Sequence, residues 1–425
     1  MKLSLLLASL ATAGIVHLPL TEREYTPEQH SARLASRGIV HATQTKNSRF
    51  YEAELEVGTP PQKIKGCFDT GSGLLWLQGV NTTNCLQHKH CDTAFNASAS
   101  SSWRFTGEHS GWGSKGNNGN ETISYGGFEV KDFQTWVATD NFEWDMTIFG
   151  QAAVDNPKSN FVKALADAGK ISRPVYSLNA EHPVNWKDRG IVNNVYYGGF
   201  DRAKYQGELT TLNVTRHGTY TMPLGGFSTG GEAIKLTREH LVVLDTGTEV
   251  VFLPNSTLRA ISEKFGGNGE FENHLYKVAC DSNPELTYHW GYTNISMDLS
   301  KFVDRSSHDG KCVLQGLYAQ KDSDQILLTG HDFISRALVI YDNEWDSITI
   351  GQAKYTDESD VVEITGNIPG ALLYSDWLAG KPAPKSASQS VQSTLAVKPV
   401  QTSDVQTSEG EGTSDSEWCQ ELGTC

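Results

Sequence analysis

An all-β chain of two related lobes facing each other across a cleft is the architecture this sequence predicts. Three observations carry the prediction. The pattern apolar-apolar-Asp-Thr-Gly occurs twice, at Asp69-Thr70-Gly71 and at Asp245-Thr246-Gly247, and the copies lie 176 residues apart. Each copy is followed, after a long excursion, by a short apolar run ending in glycine. Ile148-Phe149-Gly150 ends 81 residues beyond Asp69, and Leu328-Thr329-Gly330 ends 85 residues beyond Asp245. Between these marks the chain is a succession of short β-rich runs punctuated by Gly, Asn and Ser. A duplicated lobe with a two-fold-related site accounts for all three.

A chain of 425 residues has room for two large lobes and extensions. Its net charge of -15 argues against a nucleic-acid partner, which would need a basic patch. The acidic balance suits work at low pH, where carboxylate repulsion relaxes, but solubility alone also explains it. No apolar run beyond the N-terminus is long enough to span a bilayer.

Residues 1–13 read as a signal peptide: a basic start at Lys2, an apolar Leu5-Leu6-Leu7-Ala8 core and small residues at Ala11-Thr12-Ala13. The expected location is secreted, with vacuole or cell wall as alternatives. An oxidising compartment allows disulfides. Asn-x-Ser/Thr sequons at Asn81, Asn96, Asn120, Asn213, Asn255 and Asn294 are glycosylation candidates. Residues 14–46 are polar, without a strand pattern, and carry Arg23, Arg33, Arg37 and Lys46. They read either as a loose terminus or as a propeptide whose cations cover an acidic cleft.

Residues 47–205 form the expected N-terminal lobe. Tyr51, Ala53, Leu55 and Val57 alternate with polar residues, the sign of a half-buried strand. Gly58-Thr59-Pro60-Pro61 is a turn. Helices are expected near 161–168 and 256–265. Residues 206–356 form the second lobe. Residues 357–425, rich in Ser and Thr, read as a disordered tail, most clearly over 382–416.

Peptide hydrolysis without a metal or a nucleophilic side chain needs one group to deprotonate water and another to protonate the carbonyl oxygen. Two carboxyls sharing a proton supply both, because close like charges split their titrations. Gly71 and Gly247 let the backbone turn sharply beside the carboxylates. Ser72 and Thr248 are placed to donate to the outer carboxylate oxygens. Thr70 and Thr246 are placed to tie the two turns together.

From Phe50 to Tyr355 the sequence resembles the pepsin-like aspartic endopeptidases, most like the secreted fungal members. The resemblance rests on Phe68-Asp69-Thr70-Gly71-Ser72 with Leu75-Trp76-Leu77, on Tyr197-Gly198-Gly199-Phe200-Asp201, and on Asp245-Thr246-Gly247-Thr248 with Leu253-Pro254. Phe333, Ala337 and Val339-Ile340-Tyr341-Asp342 extend it. It implies a bilobal acid protease fold with two β-barrel-like lobes, Asp69 and Asp245 as the catalytic pair, and no cofactor or metal. It also implies protein or peptide substrates, binding of pepstatin-like inhibitors and a monomer. A catalytically silent relative that only binds or inhibits is the alternative.

The same resemblance implies disulfides Cys85–Cys91 and Cys280–Cys312, the longer loop worth roughly 3–4 kcal/mol. Cys67 reads as a buried thiol, and Cys419 and Cys425 stay open. The family carries a flap hairpin over its cleft. Tyr125-Gly126 is one candidate for its tip, but the spacing from Asp69 favours Trp112-Gly113 above Trp76. Glu249 follows Thr248 where the family usually has Ser, and reads either as a subsite charge favouring basic substrate residues or as an exposed strand residue. His331 stands where the family usually has Asp; a protonated imidazole there would favour the charged forms of the pair. The block around Met146 also lacks the family's usual Asp-Gly.

Overall fold

The computed structural model describes residues 34–383, except 37, 47–49, 89–92, 112–113, 141–145, 155, 157, 186, 216–218, 273–274 and 306–309. The chain is predominantly β-structure in two lobes. In the first lobe the strands Tyr51–Val57, Gln62–Asp69, Thr147–Gly150, Leu75–Leu77, Phe128–Ala138 and Ser114–Tyr125 are hydrogen-bonded in that order. Ser114–Tyr125 then returns to Tyr51–Val57 through Glu56↔Ser124 and Val57↔Ile123, closing a six-stranded barrel without an open edge. Tyr51, Ala53, Leu55 and Val57 point inward, as the alternation requires, with Glu54 and Glu56 outside. The barrel is filled by edge-to-face aromatic pairs such as Phe68–Phe149 and Tyr125–Phe161.

The second lobe repeats the unit that carries the aspartate. In the first lobe Gln62–Asp69 runs parallel to Thr147–Gly150 with Asp69 opposite Gly150. In the second, Leu241–Leu244 runs parallel to Ile326–Thr329 with Leu244 opposite Thr329. The internal repeat is therefore a repeated parallel strand pair. A sheet of Glu232–Ile234, Gly226–Thr229, Glu285–Trp290 and Thr293–Asp298 packs on it, burying Tyr288 and Trp290 against Phe333. Cys280 and Cys312 form a disulfide. Cys85 is also disulfide-bonded, while Cys91 lies outside the described residues. Cys67 is a buried thiol, and Cys419 and Cys425 are outside the described residues. Helices occupy Phe161–Asp167 and Asn255–Lys264, where they were expected.

A back sheet joins the lobes through Tyr205–Asn213, Ser347–Ala353, Ala337–Asp342, Val175–Ala180, Val192–Tyr197 and Val40–Lys46. Its last strand corrects one expectation. Residues 40–46, where the sequence showed no strand pattern, pair with Val192–Tyr197 from Val40↔Tyr197 to Thr45↔Val192 and join Tyr51–Val57. The strand escaped the sequence pattern because its inward face ends in polar residues. Gln44 is buried, donating to the Tyr125 hydroxyl at 2.8 Å and accepting from Asn193 at 2.7 Å. Residues 1–33 are outside the described residues.

The other end also needs correction. Residues 357–383 are folded, not a disordered tail. Val361–Glu363 pairs with Gly199–Asp201, Ala371–Leu373 runs parallel to Tyr205–Asn213, and a short helix spans Tyr374–Leu378. A few well-spaced apolar residues suffice: Val361, Ile364 and Ile368 are buried against the back sheet and its neighbours. The buried Asp201 carboxylate accepts from the Ser359 hydroxyl and the Asp360 N–H, fastening this segment to the crossing between lobes. Residues 384–425 are outside the described residues.

Candidate active site

Asp69 ends its strand and the chain turns at once. The Gly71 N–H donates to Asp69 Oδ1 at 2.7 Å, and the Ser72 hydroxyl donates to Oδ2 at 2.5 Å. The second loop repeats this atom for atom. The Gly247 N–H donates to Asp245 Oδ1 at 2.7 Å, and the Thr248 hydroxyl donates to Oδ2 at 2.6 Å. Each carboxylate is thus oriented by a backbone donor and a hydroxyl, both charge-assisted when it is ionised.

The loops abut face to face. A Cβ on Gly71 would lie 2.6 Å from the Asp245 Cγ, and one on Gly247 would lie 2.6 Å from Asp69 Oδ1. Only glycine leaves the carboxyls room to approach. Thr70 and Thr246 lock the arrangement: each hydroxyl accepts the other threonine's N–H at 3.0 Å. Each then donates across the interface, Thr70 to the Leu244 carbonyl at 2.7 Å and Thr246 to the Phe68 carbonyl at 2.5 Å. Sequence had placed all six supporting residues, and the structure brings them together around Asp69 and Asp245.

Burial, then the Asp245 charge and a hydrogen bond to it, raise the Asp69 pKa well above the usual carboxylate range. The contacts from Ser72 and Gly71 pull the other way but are smaller. The Asp69 carboxyl therefore holds its proton more tightly than an ordinary carboxyl does.

The strand Arg104–Gly111 pairs with Ser114–Tyr125 down to Gly111↔Ser114. Trp112 and Gly113, expected at a flap tip, lie outside the described residues. The rival, Tyr125, is no flap residue. It is 3% exposed and sits in the aromatic barrel core. Trp76 is buried and stacked on Trp136 at 4.8 Å between ring centroids. The Trp136 indole N–H donates to the His109 carbonyl in the hairpin at 3.3 Å. Trp136 was missed in the sequence because it lies 60 residues beyond Trp76, and only the parallel pairing Trp76↔Trp136 makes them neighbours. A Cβ on Gly116 would meet the Trp136 ring at 2.2 Å, so the hairpin crosses directly over that indole.

Behind Asp245 the surroundings differ from expectation. His331 is fully buried, edge-on to Tyr51, with its N–H bonded to the Thr248 carbonyl. Burial, and then Lys46, hold its imidazole pKa well below the usual value, which disfavours the protonated form considered from the sequence. The neighbouring Asp332 is also buried, and burial raises its pKa well above the carboxylate range. Lys46 is 1% exposed in the same cluster; burial lowers its pKa, opposed first by Glu249 and then by Asp332. The Glu249 charge thus favours the protonated form of Lys46 against its burial.

Among the sequon asparagines, Asn81, Asn213 and Asn294 are exposed, while Asn96, Asn120 and Asn255 are half-buried. Asn96 caps a 3-10 turn by accepting the Ser98 N–H, and Asn255 accepts the Tyr276 hydroxyl at 2.6 Å.

Comparison with known proteins agrees with this geometry. Residues 50–354 match the model of the eukaryotic aspartyl proteases. Candidapepsin of Candida tropicalis is 27% identical over 349 residues, covering 77% of this chain and 85% of the relative. Aspartic proteinase yapsin-3 of Saccharomyces cerevisiae is 26% identical, covering 76% of this chain and 70% of the relative. Secreted aspartic protease 5 of Candida albicans is 26% identical, covering 80% and 87%. With a match over most of its length, and with paired Asp-Thr-Gly loops meeting between two lobes, the chain belongs to the eukaryotic aspartyl protease family.

Proposed function

We propose that this aspartic endopeptidase cleaves extended protein or peptide substrates between apolar residues at acidic pH, with Asp69 and Asp245 as its catalytic pair. The observation that carries the reading is the mirrored holding of the two carboxyls, each by the glycine N–H two residues on and the hydroxyl three residues on. A water between them loses a proton to the ionised member of the pair and attacks the peptide carbonyl. The protonated member donates to the carbonyl oxygen, giving a neutral tetrahedral diol. Return of a proton to the departing nitrogen then breaks the C–N bond. Raised Asp69 affinity for its proton keeps one carboxyl acidic at the pH of work.

The cleft between the lobes holds the substrate as an added strand, with Trp112 and Gly113 closing over it from the hairpin above Trp76. Glu249 adds a modest preference for basic residues at an outer subsite, tempered by Lys46. Release from the cell is supported by the leader at residues 1–13 and by relatives named secreted aspartic proteases, with glycan on some of Asn81, Asn96, Asn120, Asn213, Asn255 and Asn294. Any removable N-terminal segment ends before Val40, since the strand beginning there is part of the back sheet. The protein acts as a monomer that binds pepstatin-like inhibitors.

The test is cleavage of a denatured protein at about pH 3–5. Wild type is expected to digest it and to be blocked by pepstatin. Asp69→Asn and Asp245→Asn are expected to lose activity by at least about 10³-fold with unchanged circular dichroism. Turnover persisting in either variant would overturn the assignment. Pepstatin binding by wild type without turnover of any peptide would favour a silent binding protein.

A further inference from the structure

Beneath the paired loops lies a buried polar cluster that the reaction as described does not use. Its centre is Gln151, 1% exposed, directly after the Ile148-Phe149-Gly150 run. The Gln151 N–H donates to the Asp69 carbonyl at 2.7 Å. Its own carbonyl accepts the Tyr176 and Tyr220 hydroxyls, both at 3.2 Å. Its side-chain Oε1 accepts the Tyr197 hydroxyl at 2.9 Å, and its Nε2 donates to the Gly150 carbonyl at 2.9 Å. A buried amide is costly unless satisfied, and this one is satisfied on both atoms.

The cluster continues to the other loop. Tyr341 stacks on Tyr176 at 4.9 Å and 14°, and lies 4.6 Å from Tyr220. The Tyr341 hydroxyl points at the carbonyl of Leu244, the residue before Asp245, at 3.4 Å. A continuous packed path therefore runs from the Asp69 carbonyl through Gln151 and the tyrosines to the strand of Asp245. It meets the Thr70–Thr246 lock at the Leu244 carbonyl, which also accepts the Thr70 hydroxyl at 2.7 Å.

We propose that Gln151 is a positioning residue which, with Tyr341, forms a second brace beneath the threonine lock and sets the spacing of Asp69 and Asp245. The proposal rests on the catalytic assignment of that pair. Spacing matters in two ways. A displacement near 1 Å costs on the order of 10²-fold in rate for an oriented reaction. The interaction between two carboxyls also falls as they separate, so the two apparent pKa values of the pair move together. A loosened brace thus narrows the bell-shaped pH profile as well as lowering the rate. Loss of packing alone does neither.

The experiment compares wild type, Gln151→Leu, Gln151→Glu and Tyr197→Phe in the secreted full-length enzyme, measuring kcat, KM and kcat/KM against pH. Gln151→Leu removes the acceptor for Tyr197 and the donor to Gly150 while keeping the volume. It is expected to lower kcat about 10-fold with KM within about twofold, and to bring the two limbs of the pH profile closer. Gln151→Glu, neutral when buried at acid pH, retains both contacts and is expected to restore the acid-side rate. Tyr197→Phe removes the same contact from the other partner and is expected to narrow the profile too, which keeps the test alive if Gln151→Leu does not fold. A lower melting temperature with kcat and both limbs unchanged, in Gln151→Leu or Tyr197→Phe, would reduce Gln151 to a packing residue. Failure of the catalytic assignment reads out separately, as activity in Asp69→Asn or Asp245→Asn.

Discussion

Thr70 and Thr246 exchange backbone-to-hydroxyl hydrogen bonds at 3.0 Å in both directions, so each Asp-Thr-Gly loop is held by the loop it opposes. Both side chains are fully buried, and each hydroxyl also donates to a carbonyl of the other lobe. Neither lobe can complete this site alone.

Valine at either threonine keeps the shape but strands a buried N–H in the opposite lobe and removes a donor from a carbonyl there. Thr70→Val or Thr246→Val is expected to cost about 1–3 kcal/mol in denaturant unfolding. The double variant should cost less than the sum, because the first change already breaks most of the shared network. Full additivity in the cycle would argue against a single coupled lock.

The cluster behind Asp245 makes two opposite pH predictions. Asp332 has a raised pKa, so the folded state holds its proton more tightly than the unfolded state does. Its contribution is present below the ordinary carboxylate pKa and is lost as pH rises through the folded value. Asp332→Asn cannot lose a proton, so its melting temperature should gain on wild type between pH 4 and pH 7.

His331 has a lowered pKa, so the folded state binds its proton less tightly. Its contribution is present above the ordinary histidine value, about pH 6.5, and is lost as pH falls toward the folded value. His331→Asn should therefore melt closer to, or above, wild type at pH 4 than at pH 7. Parallel melting curves for the two proteins across this range would show that burial of His331 carries no pH-dependent cost.

The hairpin of Arg104–Gly111 and Ser114–Tyr125 is held by the Trp136 N–H on the His109 carbonyl. Trp136→Phe removes that donor and should raise KM about 2- to 10-fold, the equivalent of one neutral hydrogen bond, with kcat less affected. Gly116→Ala should raise KM further, since its methyl would overlap the Trp136 ring and lift the hairpin. Steady-state kinetics on one peptide substrate checks both.

Much of the site was legible in the sequence because its geometry is local. An aspartate, a glycine two residues on and a hydroxyl three residues on define each carboxylate's holder within a few positions. The duplication was legible because both copies keep the same apolar-apolar-Asp-Thr-Gly order. Trp136 and Gln151 were not legible. Each acts through a partner many residues away, and each looks in the sequence like an ordinary strand or loop residue.

The sequence by itself determined the two-lobed β architecture, the carboxylate pair and its supports, since periodicity and short-range turn chemistry are written in neighbouring residues. The tertiary structure alone decided that His331 is fully buried, that Glu249 acts on Lys46, that residues 40–46 and 371–373 join the back sheet, and that Asp69 rests on Gln151. Charge state and pairing depend on burial and on distances between segments remote in the chain, and no local pattern records them.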